Sequence, residues 1–341
     1  MKIAQIAPPW IAVPPEGYGG TEWVVKHLCD GLTAKGHDVT LFATGDSHTP
    51  AKLRSIFAHE MPTRIGQTPY DARHVGFALG EIDDAGDFDL IHDHSGFLVV
   101  AFSRYIAKPI LHTCHGSFDE IAYGFYEQFA DAVAYVSISD YQRSLAPPGM
   151  NWSGTAYNAL PIDGWPFSAE KDDYLLAFGR ICEDKGFHVA IEVAKRTGNK
   201  LVIAGVVQDW YRDYFEARIA PQIDGEQIVY AGAVSDEEKR TLFARAKGFL
   251  FPILWPEPFG LVMIEAMAAG TPVVALRNGS VDEVMMDGRT GFVVDDVDQM
   301  VAAVGRLDEI DPHACRQSVE ERFGVARMTA TYEALYAKLL G

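Results

Sequence analysis

The fold is decided by residues 255–275, which read WPEPFGLVMIEAMAAGTPVVA. Pro258 and Gly260 end an apolar run that has the length of a buried strand. A helix is predicted from about Leu261, and Gly270 ends it before the next apolar segment. The first turn carries no acidic side chain, so its free N–H groups and the positive end of the helix dipole are available to an outside anion. On a strand–loop–helix unit such an anion is usually a phosphate.

Two carboxylates bracket the start of this helix. Glu257 lies in the loop before it and Glu265 lies more than one turn inside it, with seven residues between them. Because of this separation, the two can reach different parts of one ligand on either side of a phosphate. Carboxylates accept paired hydrogen bonds from sugar hydroxyls. Either glutamate alone is explained by a solvated surface position, but the combined pattern favours a ligand site.

The stretch resembles the donor-site signature of a known family. Glu257-x7-Glu265, followed by an AMAxGxPVVA segment that ends at Ala275, is similar to the signature of retaining glycosyltransferases of family 4, also called glycosyl transferases group 1. The resemblance implies that Glu257 contacts the donor sugar and that Glu265 contacts the nucleotide ribose. It also implies that the diphosphate is bound by the intervening backbone amides, those of Phe259, Gly260, Leu261 and Val262.

The resemblance implies an α/β protein with the GT-B fold, in which two Rossmann-like domains face each other across a cleft. The predicted boundary follows from the segment Gly164 to Phe167 and the polar residues after it. We expect an acceptor-binding domain at 1–165 and a nucleotide-sugar-binding domain at 166–324. An amphipathic helix at about 325–341 is expected to cross back to the first domain.

Length and composition agree with two folded domains. The chain has 341 residues, of which 48% are apolar. The four cysteines show no CxxC pair or metal-ligand spacing, which indicates free thiols in a reducing compartment. The N-terminus does not look like a signal peptide, because a strand-like segment breaks at Pro8-Pro9. No apolar run approaches the roughly 18 residues of a membrane span.

The charge argues against a polyanionic partner. The net charge is −18, and each half carries −9 when the chain is divided after Pro166. Neither half is a basic platform, so nucleic-acid binding is not expected. Docking on anionic lipid is disfavoured, although a local basic patch is compatible with this average. We therefore expect a cytoplasmic protein without a transmembrane segment, either free or peripheral to the membrane.

The first half offers two glycine-associated candidates. Gly19 and Gly20 precede a helix predicted over 21–35, where backbone N–H groups can approach a ligand, although such a pair is more often a turn. In the family a glycine-rich loop at this place covers the donor phosphates. His115 precedes a glycine at the end of a buried strand and resembles the family's His-Gly motif, whose histidine lies close to the donor sugar. A structural role for His115 remains the alternative.

Other side chains in the first half invite competing interpretations. The segment His92-Asp93-His94 ends another buried strand, and residues two apart point the same way. A metal site there is the less favoured interpretation, because no third ligand follows from the spacing. The resemblance implies neither a metal nor another cofactor. Aromatic and apolar residues are more often core, but seven such residues are candidates for an acceptor groove: Trp10, Ile11, Tyr18, Tyr123, Phe125, Tyr126 and Phe129.

The second half adds cations and loops to the donor site. Arg180 and Lys185 belong to a Gly-Arg-x4-Lys-Gly loop between a strand and a helix, where a planar donor fork and a point charge suit a diphosphate. In the family these two cations bind the donor diphosphate. Val234 lies in the loop against which the family's nucleotide base rests. Ser280 replaces a glycine of the family's Gly-Gly-x2-Glu element, which leaves the sugar contacts of that loop open.

The resemblance implies a retaining hexosyltransferase that uses a nucleotide-diphosphate sugar, with UDP first and GDP second, and an acceptor that is a saccharide, a lipid-linked glycan or a small molecule. The expected setting is the synthesis of a glycan, polysaccharide or glycoconjugate. Arg180 and Lys185 would stabilise the leaving diphosphate, while Glu257 and His115 would hold the sugar or a reacting group. Two alternatives stay open: a sugar-nucleotide epimerase on the same fold, and a nucleotide-sugar-binding protein without catalysis.

Overall fold

The computed structural model describes residues 1–17 and 19–341, so Tyr18 lies outside the described part of the chain. The described residues form two compact units, one of residues 1–159 with 325–341 and one of residues 160–324. Each unit is built around a parallel sheet, and helices lie between most pairs of successive strands. Such strands are covered on both faces, which explains the near-continuous apolar runs in the sequence.

The first unit contains a seven-stranded sheet. Its strands are β1 Lys2–Ile6, β2 Asp38–Phe42, β3 Lys52–Arg54, β4 Leu90–Asp93, β5 Ile110–Cys114, β6 Ala134–Ser137 and β7 Trp152–Thr155. The order across the sheet is β3-β2-β1-β4-β5-β6-β7, and all pairs are parallel. The chain therefore winds in opposite directions on either side of the β1–β4 pair. Ligands of open parallel sheets bind beyond the carboxyl ends of the strands at such a reversal.

Within the described residues of the first unit there are six α-helices. They are α1 Gly20–Ala34, α2 Thr68–Ala85, α3 Phe97–Phe102, α4 Glu120–Gln128, α5 Asp140–Ser144 and α13 Val325–Leu340. The terminal helix α13 packs against α1 and β7, and its buried face includes Met328, Tyr332 and Tyr336. The predicted return of the terminal helix to the first unit is confirmed. Trp10 and Ile11 are buried in this unit.

The second unit contains a six-stranded sheet. Its strands are β8 Asp172–Phe178, β9 Leu201–Ala204, β10 Ile228–Gly232, β11 Ala246–Phe251, β12 Val273–Leu276 and β13 Gly291–Val294. Its helices are α6 Phe187–Thr197, α7 Arg212–Tyr214, α8 Asp236–Arg245, α9 Leu261–Ala268, α10 Val281–Val284, α11 Val297–Val304 and α12 Pro312–Arg322. The strand order β10-β9-β8-β11-β12-β13 places the reversal between β8 and β11. The loops after these two strands therefore lie where a ligand is expected.

Local sequence signals located most elements. The predicted helix over 21–35 is α1, and Ser235 with Glu238, a pair with capping-box spacing, forms a complete capping box at the start of α8. The segment 46–86, whose mixed polarity gives no clear pattern in the sequence, contains β3 and α2. Its strand is short and lies at the sheet edge, so neither of its faces carries a strong apolar pattern. In the described part of the chain, no helix is both long and apolar enough to cross a bilayer.

Candidate active site

The winding reversal of the second sheet brings two separate sequence motifs together. β8 and β11 are neighbours, and the loops that follow them carry Lys185 and Glu257. The Lys185 ammonium forms an ion pair with Glu257 Oε2, and the indole Nε1 of Trp255 donates a hydrogen bond to the same oxygen over 2.8 Å. Both members of the ion pair are largely buried. Two residues predicted from motifs 72 positions apart are therefore in direct contact.

Helix α9 begins at Leu261, as the sequence predicts. The residue before it, Gly260, has φ 77° and ψ 65°, a left-handed conformation that favours glycine. Among the described residues no side chain caps this helix, whose first turn carries no acidic residue. Leu261 and Val262 are half-buried, whereas the rest of the helix is buried. The first-turn N–H groups are thus placed at an accessible helix N-terminus, where an anion is stabilised.

Glu265 is held by a lysine that the sequence interpretation did not consider. Its side chain is buried, and Oε1 accepts a hydrogen bond from Lys239 Nζ over 2.8 Å. Lys239 also pairs with Asp236 Oδ1 at 3.1 Å. Burial disfavours the charge of Lys239, but the two carboxylates outweigh burial and raise its pKa. The indole of Trp165 donates to the Glu265 backbone carbonyl over 3.1 Å, which fixes this turn of α9.

The loop that departs from the family pattern supports Glu257 through its backbone. Gly279 has φ 64°, and a Cβ at this position would lie 2.4 Å from the Glu257 backbone nitrogen. Ser280 N donates to the Glu257 carbonyl over 3.0 Å, and Ser280 Oγ donates to the Phe259 carbonyl over 2.9 Å. Ser280 is fully buried. Its hydroxyl therefore holds the loop before α9, which gives the replacement of glycine a structural reason.

The remaining predicted donor residues lie in loops, or at the start of a helix, of the two units. Arg180 precedes Lys185 in the same loop, is half-buried, and has its guanidinium carbon 5.5 Å from the ring centre of Tyr211. Val234 is half-buried in the loop between β10 and α8. Gly19 and Gly20 belong to the first unit, where Gly20 is the first residue of α1.

The first unit holds a group of buried polar side chains at the carboxyl ends of β1, β4 and β5. His115 Nε2 lies 2.8 Å from His94 Nδ1, and His94 Nε2 lies 2.9 Å from Gln5 Oε1. The Gln5 amide nitrogen then donates to the Tyr336 hydroxyl over 3.1 Å. The histidine predicted from the His-Gly motif is therefore connected through two residues to the terminal helix α13.

The connection continues beyond α13 into the neighbouring strands. His92 Nδ1 lies 2.7 Å from the Tyr336 hydroxyl, and His92 Nε2 lies 2.8 Å from Thr113 Oγ1. Thr113 Oγ1 lies 3.1 Å from the Tyr332 hydroxyl. His92 and His94, the two histidines considered for a metal site, thus each use both ring nitrogens in hydrogen bonds. We call the seven connected side chains the histidine chain; its members are His115, His94, Gln5, Tyr336, His92, Thr113 and Tyr332.

Burial sets the protonation of the histidine chain. It lowers the pKa of His92 and of His94 well below the ordinary range, with further lowering by neighbouring histidines. Burial and the charge of His112 lower the pKa of His115 to about 3. All three rings are therefore neutral at pH 7. His115 also lines a cavity of about 160 Å³ together with Phe97.

A second hydrogen-bonded pair, His112 with Asp93, lies beside the histidine chain. His112 Nδ1 donates to Asp93 Oδ2 over 2.6 Å, and His112 Nε2 donates to the Tyr126 hydroxyl over 2.8 Å. Burial disfavours the charged ring, but hydrogen bonds to Asp93 and Cys114 together with the Asp93 charge raise the pKa of His112 to about 10. This pair is therefore a buried ion pair at neutral pH.

Raising the pH should remove stability that this ion pair supplies. The pKa of His112 is raised from 6.5 to about 10, so the folded state keeps a proton that the unfolded chain loses between these values. The free energy of unfolding should then fall from pH 6.5 to pH 10 by up to about 1.4 kcal/mol per pH unit. Urea unfolding of the wild type and of His112→Gln across this range measures the difference. Parallel curves for the two proteins would show that His112 is not the group responsible.

Two groups of contacts were missed by the sequence interpretation. Lys239 follows Asp236 by three residues and precedes the buried Phe243 by four, so it lies on the inner face of α8. A lysine at such a position is a detectable sign of a buried carboxylate partner. The link from His115 to Gln5 had no such sign, because β1, β4 and β5 are brought together only by strand pairing.

Comparison with known proteins agrees with this geometry. The family model of glycosyl transferases group 1 matches residues 165–318, and the model of glycosyltransferase family 4 matches residues 18–147. The chain is 27% identical to a glycogen synthase of Mycobacterium tuberculosis, with 94% of this chain and 89% of that protein covered.

Solved structures show the same fold. Sucrose-phosphate synthase from Thermosynechococcus elongatus has a TM-score of 0.82 at 20% identity, with 99% of each chain covered. The Anabaena protein HepE, in complex with UDP and glucose, has a TM-score of 0.75 at 18% identity, with 99% of this chain and 100% of that chain covered. Both family matches and the open helix N-terminus of α9 agree with the resemblance. The chain therefore belongs to the glycosyltransferases of group 1 and family 4, with the GT-B fold, and is a retaining glycosyltransferase that uses a nucleotide-sugar donor.

Proposed function

We propose that the chain transfers a hexose from a UDP-sugar, or in second place from a GDP-sugar, to a hydroxyl acceptor during synthesis of a glycan, polysaccharide or glycoconjugate. The observation that carries this proposal is the N-terminus of α9, which no described side chain caps, with the Lys185–Glu257 pair before it and Glu265 inside it. A diphosphate suits the helix end, and sugar or ribose hydroxyls suit the carboxylates. The bound UDP and glucose of HepE support UDP as the first choice.

The proposed reaction breaks the bond between the anomeric carbon and the diphosphate oxygen. Arg180, Lys185 and the first-turn amides of α9 stabilise the negative charge that develops on the leaving diphosphate. Before the donor binds, Glu257 neutralises Lys185. The diphosphate competes for that lysine, which leaves Glu257 available to sugar hydroxyls. The acceptor oxygen attacks from the same face, and its proton moves to an oxygen of the departing phosphate, so the configuration is retained.

The two domains are assigned different substrates in this proposal. Residues 166–324 bind the nucleotide sugar, with Val234 near the base, and residues 1–165 with 325–341 bind the acceptor. In the first domain His115 orients the donor sugar or a reacting group, and Gly19-Gly20 approach the donor phosphates. The four cysteines are buried free thiols, which supports a cytoplasmic location.

A thermal-shift panel tests the donor assignment. The panel contains UDP, GDP, ADP and TDP, with uridine as the matched control that lacks the diphosphate. A nucleotide at about 100 times its dissociation constant adds roughly 2.7 kcal/mol to the state that binds it. We expect a clear rise in melting temperature with UDP and none with uridine. The sugar nucleotides of the best base are then incubated with the protein, and the products are analysed by mass spectrometry and chromatography.

The outcomes separate the rival functions. Slow release of unchanged sugar, or its transfer to an added acceptor, supports the transferase. Release of an epimerised sugar supports the epimerase instead. Binding of a nucleotide sugar without cleavage, even with a panel of acceptors, supports a protein that binds but does not catalyse. If no nucleotide changes the melting temperature, the donor site assigned to α9 is wrong.

A further inference from the structure

In the histidine chain, Gln5 sets the direction in which hydrogen bonds are donated. The amide nitrogen of Gln5 can only donate a hydrogen bond and its carbonyl oxygen can only accept one. The nitrogen faces the Tyr336 hydroxyl, and Oε1 faces His94 Nε2. His94 must therefore carry its proton on Nε2. Because the ring is neutral, His94 Nδ1 has a lone pair and must accept from its other partner.

That partner is His115, whose tautomer follows in turn. His115 Nε2 lies 2.8 Å from His94 Nδ1, so it must carry the proton and donate it to this contact. The neutral His115 ring then has a lone pair on Nδ1. Among residues 1–17 and 19–341, no hydrogen-bond partner faces Nδ1, and His115 lines the neighbouring cavity. The atom presented for a ligand is therefore an acceptor.

The rest of the histidine chain, from Tyr336 to Tyr332, is compatible with the same direction of hydrogen-bond donation. Tyr336 receives the proton of the Gln5 amide and donates its own to His92 Nδ1. His92 then donates from Nε2 to Thr113, whose hydroxyl donates to Tyr332. His92 and His94 each donate one hydrogen bond and accept one, so protonation of either ring would disrupt this order of donors and acceptors. Burial, which keeps His92 and His94 neutral, is consistent with this order.

We propose that Gln5 and His94 are positioning residues that hold His115 in its Nε2–H tautomer, so that Nδ1 accepts a hydrogen bond from a substrate hydroxyl. The inference rests on the proposed function, since that function brings a sugar to His115. It adds a selection rule: a hydroxyl is accepted at this point, whereas an oxygen that can only accept, such as a carboxylate, is rejected. If hydrogen bonds were donated in the opposite direction along the histidine chain, His115 would present Nδ1–H and this preference would be inverted.

The tautomer can be read directly in the unliganded protein. Long-range ¹H–¹⁵N correlation spectra of the histidine-labelled protein at pH 7.5 distinguish Nε2–H from Nδ1–H rings. His115 is identified by the signal that is lost in His115→Gln. We expect the Nε2–H pattern for His92, His94 and His115. An Nδ1–H pattern for His115, or a protonated ring, overturns the proposal whatever the donor panel shows.

A single substitution should reverse the direction of hydrogen-bond donation between His94 and His115. In Gln5→Glu a carboxylate faces His94, and His112 beside Asp93 shows that such a neighbour favours the protonated ring in this sheet. A protonated His94 donates from Nδ1, so His115 Nε2 must accept and its proton moves to Nδ1. We expect the Nδ1–H pattern at His115 and an about tenfold lower kcat/KM with UDP-glucose, as for the loss of one hydrogen bond.

Two comparisons separate this effect from general damage. UDP carries no sugar, so its affinity should not change in Gln5→Glu; an equal loss of UDP binding would overturn the positioning role. His74→Gln alters another buried histidine of the same unit. His74 is not a member of the histidine chain, and its Nε2 contacts the Ala7 carbonyl. This control should leave the His115 tautomer and kcat/KM unchanged. If Gln5→Glu does not fold, the wild-type spectrum still decides the tautomer.

Discussion

Arg180→Ala is expected to lower kcat/KM for the donor about 10²–10³-fold, with little change in melting temperature. The guanidinium offers a rigid fork of donors that matches the oxygens of a diphosphate, and an alanine leaves no replacement. The charge on the leaving diphosphate is larger in the transition state than in the ground state. Turnover should therefore fall more than donor affinity. The measurements are steady-state kinetics with UDP-glucose and a thermal melt of the same preparations.

Arg196→Ala is the matched control for this prediction. Arg196 is an arginine of the same unit on α6, but it is exposed and pairs with Glu192 and Asp298. Its removal should leave both kcat/KM and the melting temperature close to the wild type, since exposed pairs contribute little. An Arg180→Ala enzyme with an unchanged rate would remove Arg180 from the mechanism. A loss of similar size in both variants would point to a general charge effect.

Asp93→Ala is expected to destabilise the first unit by about 3–5 kcal/mol. Both Asp93 and His112 are buried, and the pair is joined by a 2.6 Å hydrogen bond. Removal of the carboxylate leaves His112 either charged without its partner or neutral with lost hydrogen bonds. Asp93 also accepts from the backbone and the hydroxyl of Ser95, so the turn after β4 loses support as well. Urea unfolding followed by far-UV circular dichroism measures the loss.

Asp87→Ala provides the comparison for a buried pair against an exposed one. Asp87 forms an ion pair with Lys2 in the same unit, and it is exposed to solvent. Solvent screens such a pair, so its removal should change unfolding very little. If Asp93→Ala proves as mild as Asp87→Ala, the buried ion pair does not support the sheet. The double variant Asp93→Ala with His112→Leu should recover part of the loss, because it removes the unpaired buried polar group as well.

Prediction from the sequence succeeded where the determining interactions are local. The start of α9 follows from the glycine at position 260 and from helix propensity, and the capping box of α8 follows from two residues three positions apart. The fold class was implied by the family resemblance that residues 255–275 carry. β3 and β7 carry only a weak sequence signal, because they are short, lie at sheet edges and have no buried residues.

Prediction of the candidate site was less complete, because its contacts join residues that are distant in sequence. Lys185 and Glu257 were each found from their own motif, but neither motif states that the two charges neutralise each other. Glu265 was expected to be available to a ribose, whereas in the structure Lys239 holds one of its oxygens. Such pairings depend on which helix lies beside which strand, a decision made by packing rather than by neighbours in sequence.

The sequence by itself determined the two parallel sheets, the helix end that can bind an anion, and the residue types that suit a nucleotide sugar. These properties depend on hydrophobic period, glycine conformation and charge, which act over a few residues. Tertiary structure alone decided the partner of each buried polar group: Asp93 for His112, Lys239 for Glu265, and Gln5 for His94. A buried polar group must find a hydrogen-bond partner, and only the packed sheet brings residues from distant parts of the chain within reach.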